Sequence, residues 1–277
     1  MDATLKNKLA GIKHVALDMD GTIYMGDSLF PFTIPFLEEL KSLGISYSFL
    51  TNNPSKSLDD YLLKLARMGI RATEEEMYTT TVATIDYIKD RYPEARRLFL
   101  LGTPSMISQF EKAGFVSTED DPGDVPDIVV AAFDMTLTYS RLCRAAWWIA
   151  QGLPYIATNP DRVCPTNLQT VLVDCGSICK CLEHATGRKP DITLGKPDPN
   201  MLTGILRKKN LLPGQIAMVG DRIYTDIAMA QNAGAVGVLV LSGETTLETA
   251  REAANPPDVI AQHIGQLGEW LKEAQRK

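Results

Sequence analysis

The sequence lacks the features that mark exported, membrane-spanning and repetitive proteins. Residues 1–13 alternate charged and apolar side chains and contain no uninterrupted apolar core of the kind found in signal peptides. No apolar run reaches the length that a membrane span requires, and there is no internal repeat or low-complexity tract. We therefore expect a cytoplasmic protein without a membrane partner.

Cysteine is scarce, and its count of five is odd. Without an export signal, free thiols are expected rather than disulfides. Cys175, Cys179 and Cys181 form a cluster, but His184 is the only nearby residue that could complete a zinc-like ligand set. We interpret the three thiols as packed on or under a helix, with metal binding as the less favoured alternative.

Basic residues are fewer than acidic ones. The sequence has 28 Lys and Arg residues and 34 Asp and Glu residues, which gives a net charge of -6. Such a surface does not favour binding of a nucleic acid polymer or an anionic membrane. A substrate that carries phosphate would need local positive charge or a metal. The length of 277 residues suits one large or two ordinary domains with a real core.

What the sequence does contain is an alternation of strand and helix patterns, which predicts an α/β fold with parallel sheets. The apolar run His14 to Leu17 predicts a buried strand, and it ends in Asp18 and Asp20. Two carboxylates this close repel each other when ionised, so such a pair usually holds a cation or shares a proton. For these residues alone, an acidic turn is the simpler alternative.

Further polar groups follow other predicted strands or lie in a stiff loop rich in Gly and Pro. In chain order they are Thr51, Asn52, Asn53, Lys196, Asp221 and Asp226. Because the carboxyl ends of parallel strands meet at one edge of a sheet, we expect these groups to converge. Asp18 and Asp221, with Asp226 as a further candidate, offer the hard oxygen ligands that Mg²⁺ takes. Lys196 offers a fixed positive charge. A carboxylate nucleophile beside a metal and a lysine is typical of phosphoryl transfer.

These motifs resemble those of the haloacid dehalogenase (HAD) superfamily of phosphohydrolases, and within it the NagD and p-nitrophenylphosphatase-like branch. The resemblance covers nearly the whole chain. The segments that carry it are Asp18-Met19-Asp20-Gly21-Thr22, Thr51-Asn52-Asn53-Pro54-Ser55, Gly195-Lys196-Pro197 and Gly220-Asp221-Arg222-Ile223-Tyr224-Thr225-Asp226-Ile227. The resemblance implies a Rossmann-like parallel-sheet core at residues 1–81 and 188–277, with an inserted α/β cap domain at residues 82–187.

The resemblance also implies a role for each matching residue. Asp18 would attack phosphorus and form an aspartyl-phosphate, while Asp20 would protonate the leaving oxygen and then activate water. Asp18, the Asp20 carbonyl and Asp221 would bind Mg²⁺, with Asp226 as a supporting acid near the metal. The residues expected to bind substrate in these motifs are Gly21, Thr51, Asn52, Asn53 and Lys196.

The resulting prediction is an Mg²⁺-dependent phosphatase of small phosphorylated metabolites. Nucleotides, sugar phosphates, phosphoglycolate-like compounds, pyridoxal phosphate and p-nitrophenyl phosphate all stay open as substrates, as does a homodimer. A carbon–halogen hydrolase is disfavoured because those relatives lack the second aspartate, here Asp20, and a phosphoryl mutase typically has a smaller cap after the first motif. The alternative from another class is a non-catalytic, phosphometabolite-binding regulatory protein on the same fold.

Substrate specificity is expected in the cap, which covers the leaving group in the family. Asn159, Asp161 and Arg162 follow a predicted strand in the middle of the inserted segment, so a loop there could contact the leaving group. The turn at residues 174–177 is a second candidate. Both segments could equally be plain turns.

Overall fold

The computed structural model describes residues 3–52, 58–164 and 169–276. The chain forms two compact units. The core unit comprises Met1–Thr51, Tyr61–Tyr78 and Lys196–Lys277, and the inserted unit comprises Asn52–Asp60 and Thr79–Gly195. The domain limits predicted from the sequence stay a prediction, because compactness does not test whether each part folds alone. Within the ranges described, no helix is both long enough and apolar enough to cross a membrane.

The strands are short and mostly buried. In chain order they are β1 (His14–Asp18), β2 (Tyr24–Met25), β3 (Ser28–Leu29), β4 (Ser46–Thr51), β5 (Met77–Thr79), β6 (Arg97–Leu101), β7 (Val116–Ser117), β8 (Ile128–Ala131), β9 (Tyr155–Ala157), β10 (Val163–Cys164), β11 (Leu172–Val173), β12 (Ile192–Thr193), β13 (Ile216–Gly220), β14 (Val236–Val240) and β15 (Val259–Ala261).

Helices separate most of these strands. They are α1 (Ala3–Ala10), α2 (Thr33–Ser42), α3 (Leu58–Arg67), α4 (Thr80–Arg91), α5 (Pro104–Lys112), α6 (Tyr139–Ala150), α7 (Cys175–Thr186), α8 (Asn200–Lys209), α9 (Ala228–Ala233), α10 (Leu247–Glu252) and α11 (Ile264–Gln275). Short 3₁₀ turns span Glu74–Glu76 and Pro213–Gln215, and a π-helical turn spans Ile223–Ile227.

A six-stranded sheet in the order β15-β14-β13-β1-β4-β5 forms the centre of the core unit. The strand β1 pairs in parallel with both β13 and β4, and β13, β14 and β15 continue the parallel register. The strand order therefore reverses at β1, because its neighbour on one edge, β4, follows soon after it in the sequence and its neighbour on the other edge, β13, follows about 200 residues later. A crevice at such a switch in strand order is where open α/β sheets bind their ligands.

The inserted unit is built on a second parallel sheet, in the order β12-β9-β8-β6-β7. Its two faces carry separate apolar clusters, because successive side chains of a strand point to opposite faces. On β6, for example, Phe99 joins the cluster with Trp148 and Cys175, whereas Leu100 joins the cluster with Phe110. The α/β fold class with a parallel-sheet core and an inserted α/β unit is therefore confirmed.

Local contacts set the ends of some elements. The helix α4 begins at Thr80, because the Thr79 hydroxyl accepts a hydrogen bond from the Val82 N–H at 3.3 Å and caps the helix. The π-helical turn directly precedes α9. None of the five cysteines, all of which lie in the described ranges, forms a disulfide, and Cys175 and Cys179 are buried while Cys181 is exposed.

Candidate active site

The nucleophile candidate Asp18 lies at the end of the buried central strand β1. The chain turns immediately afterwards, and the N–H groups of Thr22 and Ile23 both donate to the Met19 carbonyl. Gly21 is required in this turn for two reasons. Its φ is +80°, and a Cβ there would lie 2.5 Å from Asp221 Oδ2. Gly21 thus allows the first motif to approach Asp221 closely.

Asp20 lies beyond the strand end and is exposed, whereas Asp18 is partly buried. The strand stops at Asp18, and Asp20 forms an isolated bridge with Tyr24 inside the turn. The strand therefore does not extend to Asp20, and the two aspartates lie in different local structures. The two carboxylates have different surroundings, since Asp18 is partly buried and paired with Lys196 whereas Asp20 is exposed.

Lys196 connects the first motif to the last one. Its Nζ forms ion pairs with Asp18 Oδ1 and, at 2.7 Å, with Asp226 Oδ1. Burial by itself would lower the pKa of Lys196, but the charges of Asp18 and Asp226 outweigh it, so the pKa of Lys196 is raised. Lys196 therefore stays charged at neutral pH and holds the two aspartates together.

The π-helical turn after β13 fixes the position of Asp226. Asp226 Oδ2 accepts a hydrogen bond from the Arg222 N–H at 3.1 Å, while its Oδ1 accepts from Lys196. Gly220 makes room for this carboxylate, since a Cβ at Gly220 would lie 2.2 Å from Asp226 Cγ. Both oxygens of Asp226 are thus occupied by groups of the protein. Such turns inside helices often occur at functional sites.

Asp221 has a different arrangement, with one oxygen occupied and one open. Its Oδ2 accepts a hydrogen bond from the Glu244 N–H at 2.7 Å, and its main-chain carbonyl accepts from the Thr245 N–H at 3.2 Å. Asp221 Oδ1 is buried and has no hydrogen-bond partner among the residues that the structure describes. An open, buried carboxylate oxygen is costly unless another group binds it.

The carboxylates of Asp18, Asp221 and Asp226 fit a divalent cation. One ligand atom of each lies within 4.8 Å of the others, and in the described ranges no other cluster of acidic, Cys or His side chains meets this criterion. Three carboxylates and one lysine, 3 negative charges and 1 positive charge, leave a net charge of −2 when all are ionised. Burial raises the pKa values of Asp221 and Asp226, and the charge of Asp18 raises them further. A bound divalent cation would remove this excess charge.

The predicted residues of the second motif lie in two different places. Thr51 ends β4, the neighbour of β1, and is partly buried. Asn52 belongs to the inserted unit, where its Nδ2 donates to Asp161 Oδ1 at 3.4 Å and its carbonyl accepts from the Thr80 hydroxyl at 3.3 Å. Asn53 lies outside the described residues.

The predicted specificity residues of the inserted unit differ sharply in exposure. Asn159 is fully buried, accepts from the Thr158 hydroxyl at 2.9 Å and donates to Asp174 Oδ1 at 3.0 Å. Asp161 is partly buried and Arg162 is exposed. Both polar atoms of the Asn159 side chain are engaged within the protein, so the contact with substrate that the sequence predicts for Asn159 stays a prediction.

The amino end of α7 holds the loop that carries these residues. The Gly176 N–H donates to the Asp161 carbonyl at 2.8 Å, and the Ser177 hydroxyl donates to the Arg162 carbonyl at 2.8 Å. A Cβ at Gly176 would lie 2.3 Å from the Pro160 carbonyl oxygen, so the close approach requires glycine. The turn at residues 174–177 is therefore a support for the loop within this unit.

Sequence reasoning missed the loop that follows β14. The Ser242 hydroxyl donates to the Gly21 carbonyl at 2.8 Å, and Glu244 contacts Asp221 as described above. Ser242 and Gly243 follow β14, a strand of the same parallel sheet, so their position in the sequence could have placed the loop near the site. The residue types gave no signal, because Glu244 acts there through its main-chain N–H.

Comparison with known proteins places this site in a family. The model of the haloacid dehalogenase-like hydrolases matches residues 15–116, and a model of HAD-hydrolase-like proteins matches residues 193–267. The ribonucleotide monophosphatase NagD of Escherichia coli K12 is 31% identical over 256 residues, which cover 92% of this chain and 98% of that protein.

Two solved structures share the fold over nearly the whole length of this chain. The 4-nitrophenylphosphatase of Thermotoga maritima is 41% identical, with a TM-score of 0.87 over 95% of this chain and 98% of that chain. A glycerol phosphate phosphatase of Mycobacterium tuberculosis in complex with magnesium is 27% identical, with a TM-score of 0.85 over 97% of this chain and 79% of that chain. With its motifs, its fold and these relatives, the chain belongs to the haloacid dehalogenase-like hydrolases, in the branch of NagD-like phosphatases.

Proposed function

We propose that this protein is an Mg²⁺-dependent phosphatase of small phosphate monoesters, with Asp18 as nucleophile. The observation that carries the proposal is the site centred on Lys196. One lysine pairs with both Asp18 and Asp226, while Asp221 keeps a buried oxygen open. A non-catalytic binding protein on this fold would not need a paired nucleophile and lysine, so the enzyme is favoured.

The surroundings of Asp18 suit a nucleophile. Lys196 binds its Oδ1, and the Thr22 hydroxyl lies 3.5 Å from its Oδ2, a long contact that restrains this oxygen weakly. In the proposed first step, a bond forms between Asp18 Oδ2 and phosphorus while the bond from phosphorus to the ester oxygen breaks. The leaving oxygen takes the proton of Asp20.

The second step returns the enzyme to its starting state. Asp20, now ionised, accepts a proton from a water molecule whose oxygen attacks phosphorus, and the bond from phosphorus to Asp18 breaks. The exposed position of Asp20 supports this role, because the group must exchange protons with a leaving group and then with water. Lys196 stabilises the negative charge that develops on the phosphoryl oxygens.

The occupancy of the carboxylate oxygens supports distinct metal roles for the two acids of the last motif. Asp221 Oδ1 is open, so Asp221 and Asp18 would ligate Mg²⁺ together with the Asp20 carbonyl. Both oxygens of Asp226 accept hydrogen bonds, from Lys196 and from the Arg222 N–H, so Asp226 would hold Lys196 in place near the ion without being its ligand. When bound, Mg²⁺ supplies charge neutralisation and orientation of the phosphate.

The substrate class is a small phosphorylated metabolite. The relatives named above act on ribonucleotide monophosphates, 4-nitrophenyl phosphate and glycerol phosphate, so the leaving group varies while the phosphate stays constant. Sugar phosphates and phosphoglycolate-like compounds belong to the same proposal. We propose that Asp161 and Arg162 contact the leaving group. Thr51, Asn52 and Asn53 are the proposed contacts for the phosphate. The cytoplasmic location stays a prediction.

The test is a panel of phosphate monoesters with Mg²⁺, comparing the wild type with Asp18→Asn. We expect release of inorganic phosphate by the wild type and none by the variant, since an amide is a poor nucleophile and a poor Mg²⁺ ligand. Absence of wild-type turnover on every ester, with Mg²⁺ bound, would refute the enzyme proposal and favour the regulatory alternative.

A further inference from the structure

The loop of residues 241–245, which we name the 241–245 loop, lies against the carboxylate of Asp221. The Glu244 N–H donates to Asp221 Oδ2 at 2.7 Å, and a Cβ at Gly243 would lie 2.1 Å from the same oxygen. The backbone of the loop is therefore in close contact with one face of this carboxylate. That contact leaves Oδ1 as the oxygen that can face a cation.

The side chain of Glu244 is held from two sides by residues of the motif that contains Asp221. Its Oε1 accepts a hydrogen bond from the Tyr224 hydroxyl at 2.8 Å, and its Oε2 lies 2.8 Å from Arg222 Nε. The Arg222 Nε–H is not aligned on that oxygen, so this second contact is ionic rather than a hydrogen bond. The side chain thus ties the 241–245 loop to the turn that follows β13.

These contacts contribute little to the stability of the fold. The Arg222 and Glu244 side chains are 42% and 48% exposed, and ion pairs at such exposure are screened by water and salt. They connect the residue whose backbone N–H contacts the Asp221 carboxylate to two residues of the motif that contains Asp221.

We propose that Glu244 is a positioning residue for the cation site, which acts by holding its own N–H on Asp221 through Arg222 and Tyr224. The proposal rests on the Mg²⁺ site of the proposed function. Groups that orient metal ligands commonly change metal affinity when they are removed. Glu244 itself touches neither the cation nor the substrate in this scheme.

The experiment measures Mn²⁺ binding to the metal-free protein by electron paramagnetic resonance, with Mn²⁺ as a visible substitute for Mg²⁺. We expect Glu244→Ala to raise the Kd for Mn²⁺ by about threefold. This is less than the tenfold or more that follows loss of a group bound directly to a metal ligand, because alanine keeps the N–H that contacts Asp221. Glu244→Gln, which keeps an acceptor for Tyr224, is expected to lie between the wild type and Glu244→Ala. The kcat at saturating Mg²⁺ should change by less than about threefold, since the completed site is the same.

Two further variants serve as controls for the binding measurement. Glu39→Ala removes a partly buried glutamate from its ion pair with Lys272, at 2.9 Å, and is expected to leave the Kd for Mn²⁺ unchanged. Asp221→Asn removes the proposed ligand and should weaken binding far more than Glu244→Ala. The melting temperature of the metal-free protein should be the same for Glu244→Ala and Glu39→Ala.

The outcomes separate this proposal from the proposed function. A wild-type Kd for Mn²⁺ that Glu244→Ala does not change overturns the positioning role alone. A lower melting temperature with unchanged affinity means that Glu244 is merely structural, and it overturns the role as well. If the wild type binds neither Mn²⁺ nor Mg²⁺, the cation site of the proposed function fails and Glu244 has nothing to position.

Discussion

Replacing Lys196 by methionine is the sharpest test of how the site is held together. The substitution keeps most of the side-chain volume and removes the charge between Asp18 and Asp226. The three carboxylates of the site stay while the positive charge of the lysine is lost, so the net charge of the site changes from −2 to −3 when all groups are ionised. Only 6% of the Lys196 side chain is exposed, so water cannot replace the lost partner.

The expected magnitudes follow from this burial. Removing one partner of a buried ion pair usually lowers the free energy of unfolding by about 3–5 kcal/mol. Loss of a fixed group that stabilises the transition state lowers kcat by about 10²–10³-fold. Because Lys196 would contact the phosphate and not the leaving group, the loss in kcat/KM should be the same for every ester.

The assay combines urea unfolding, with and without Mg²⁺, and kcat/KM on a panel of phosphate esters. Mg²⁺ should stabilise Lys196→Met more than the wild type, since the variant has more uncompensated negative charge at the cation site. Lys272→Met, in which an ion pair with 48% of the lysine side chain exposed is lost, is the matched control and should change neither property. A variant that keeps wild-type stability, or that changes the ranking of substrates, would refute the reasoning.

The remaining predictions address the other groups. Asp18→Asn should abolish phosphate release while the circular dichroism spectrum stays that of the folded protein; near-normal turnover in a pure, metal-loaded sample would remove Asp18 as nucleophile. Chelation should stop turnover and Mg²⁺ restore it, and Asp221→Ala should raise the Mg²⁺ concentration for half-maximal activity more than Asp226→Ala; the reverse order would exchange their roles. Arg162→Ala should alter the ranking of esters by kcat/KM and affect p-nitrophenyl phosphate least, whereas one common factor for all esters would make the loop structural. Burial, reinforced by a nearby lysine, lowers the pKa of His14 to about 3, so below pH 6.5 the unfolded chain binds a proton that the native protein does not. Unfolding free energy should therefore fall by about 2 kcal/mol between pH 7 and pH 5, and His14→Asn should lose that part of the pH dependence.

The convergence of the main acids and the lysine could be predicted from the sequence. Asp18 and Asp221 follow strands whose apolar runs are easily recognised, and parallel strands bring their carboxyl ends together. Lys196 lies in no strand, yet a lone lysine between Gly195 and Pro197 is a distinctive pattern. In these cases residue type and strand position carry the information.

Contacts made by the backbone could not be predicted in the same way. Glu244 reaches Asp221 through its N–H, which every residue except proline has, so its side chain gives no indication of the contact. The exposure of Asp20 depends on where β1 ends, and the apolar pattern does not fix a strand end to within one residue. The burial of Asn159 depends on Asp174, a helix-capping partner 15 residues away in the sequence.

The strand order of the core unit has a consequence for synthesis on the ribosome. The edge of β1 that pairs with β4 can be satisfied early, but the edge that pairs with β13 must wait for residues 216–220. Lys196 itself is 178 positions from Asp18, so the nascent chain displays its acidic motif long before the lysine that neutralises it is made. An incomplete chain therefore has no working site. It also exposes an unpaired apolar strand edge, which makes it a target for chaperones and a source of aggregation until the last third of the protein is translated.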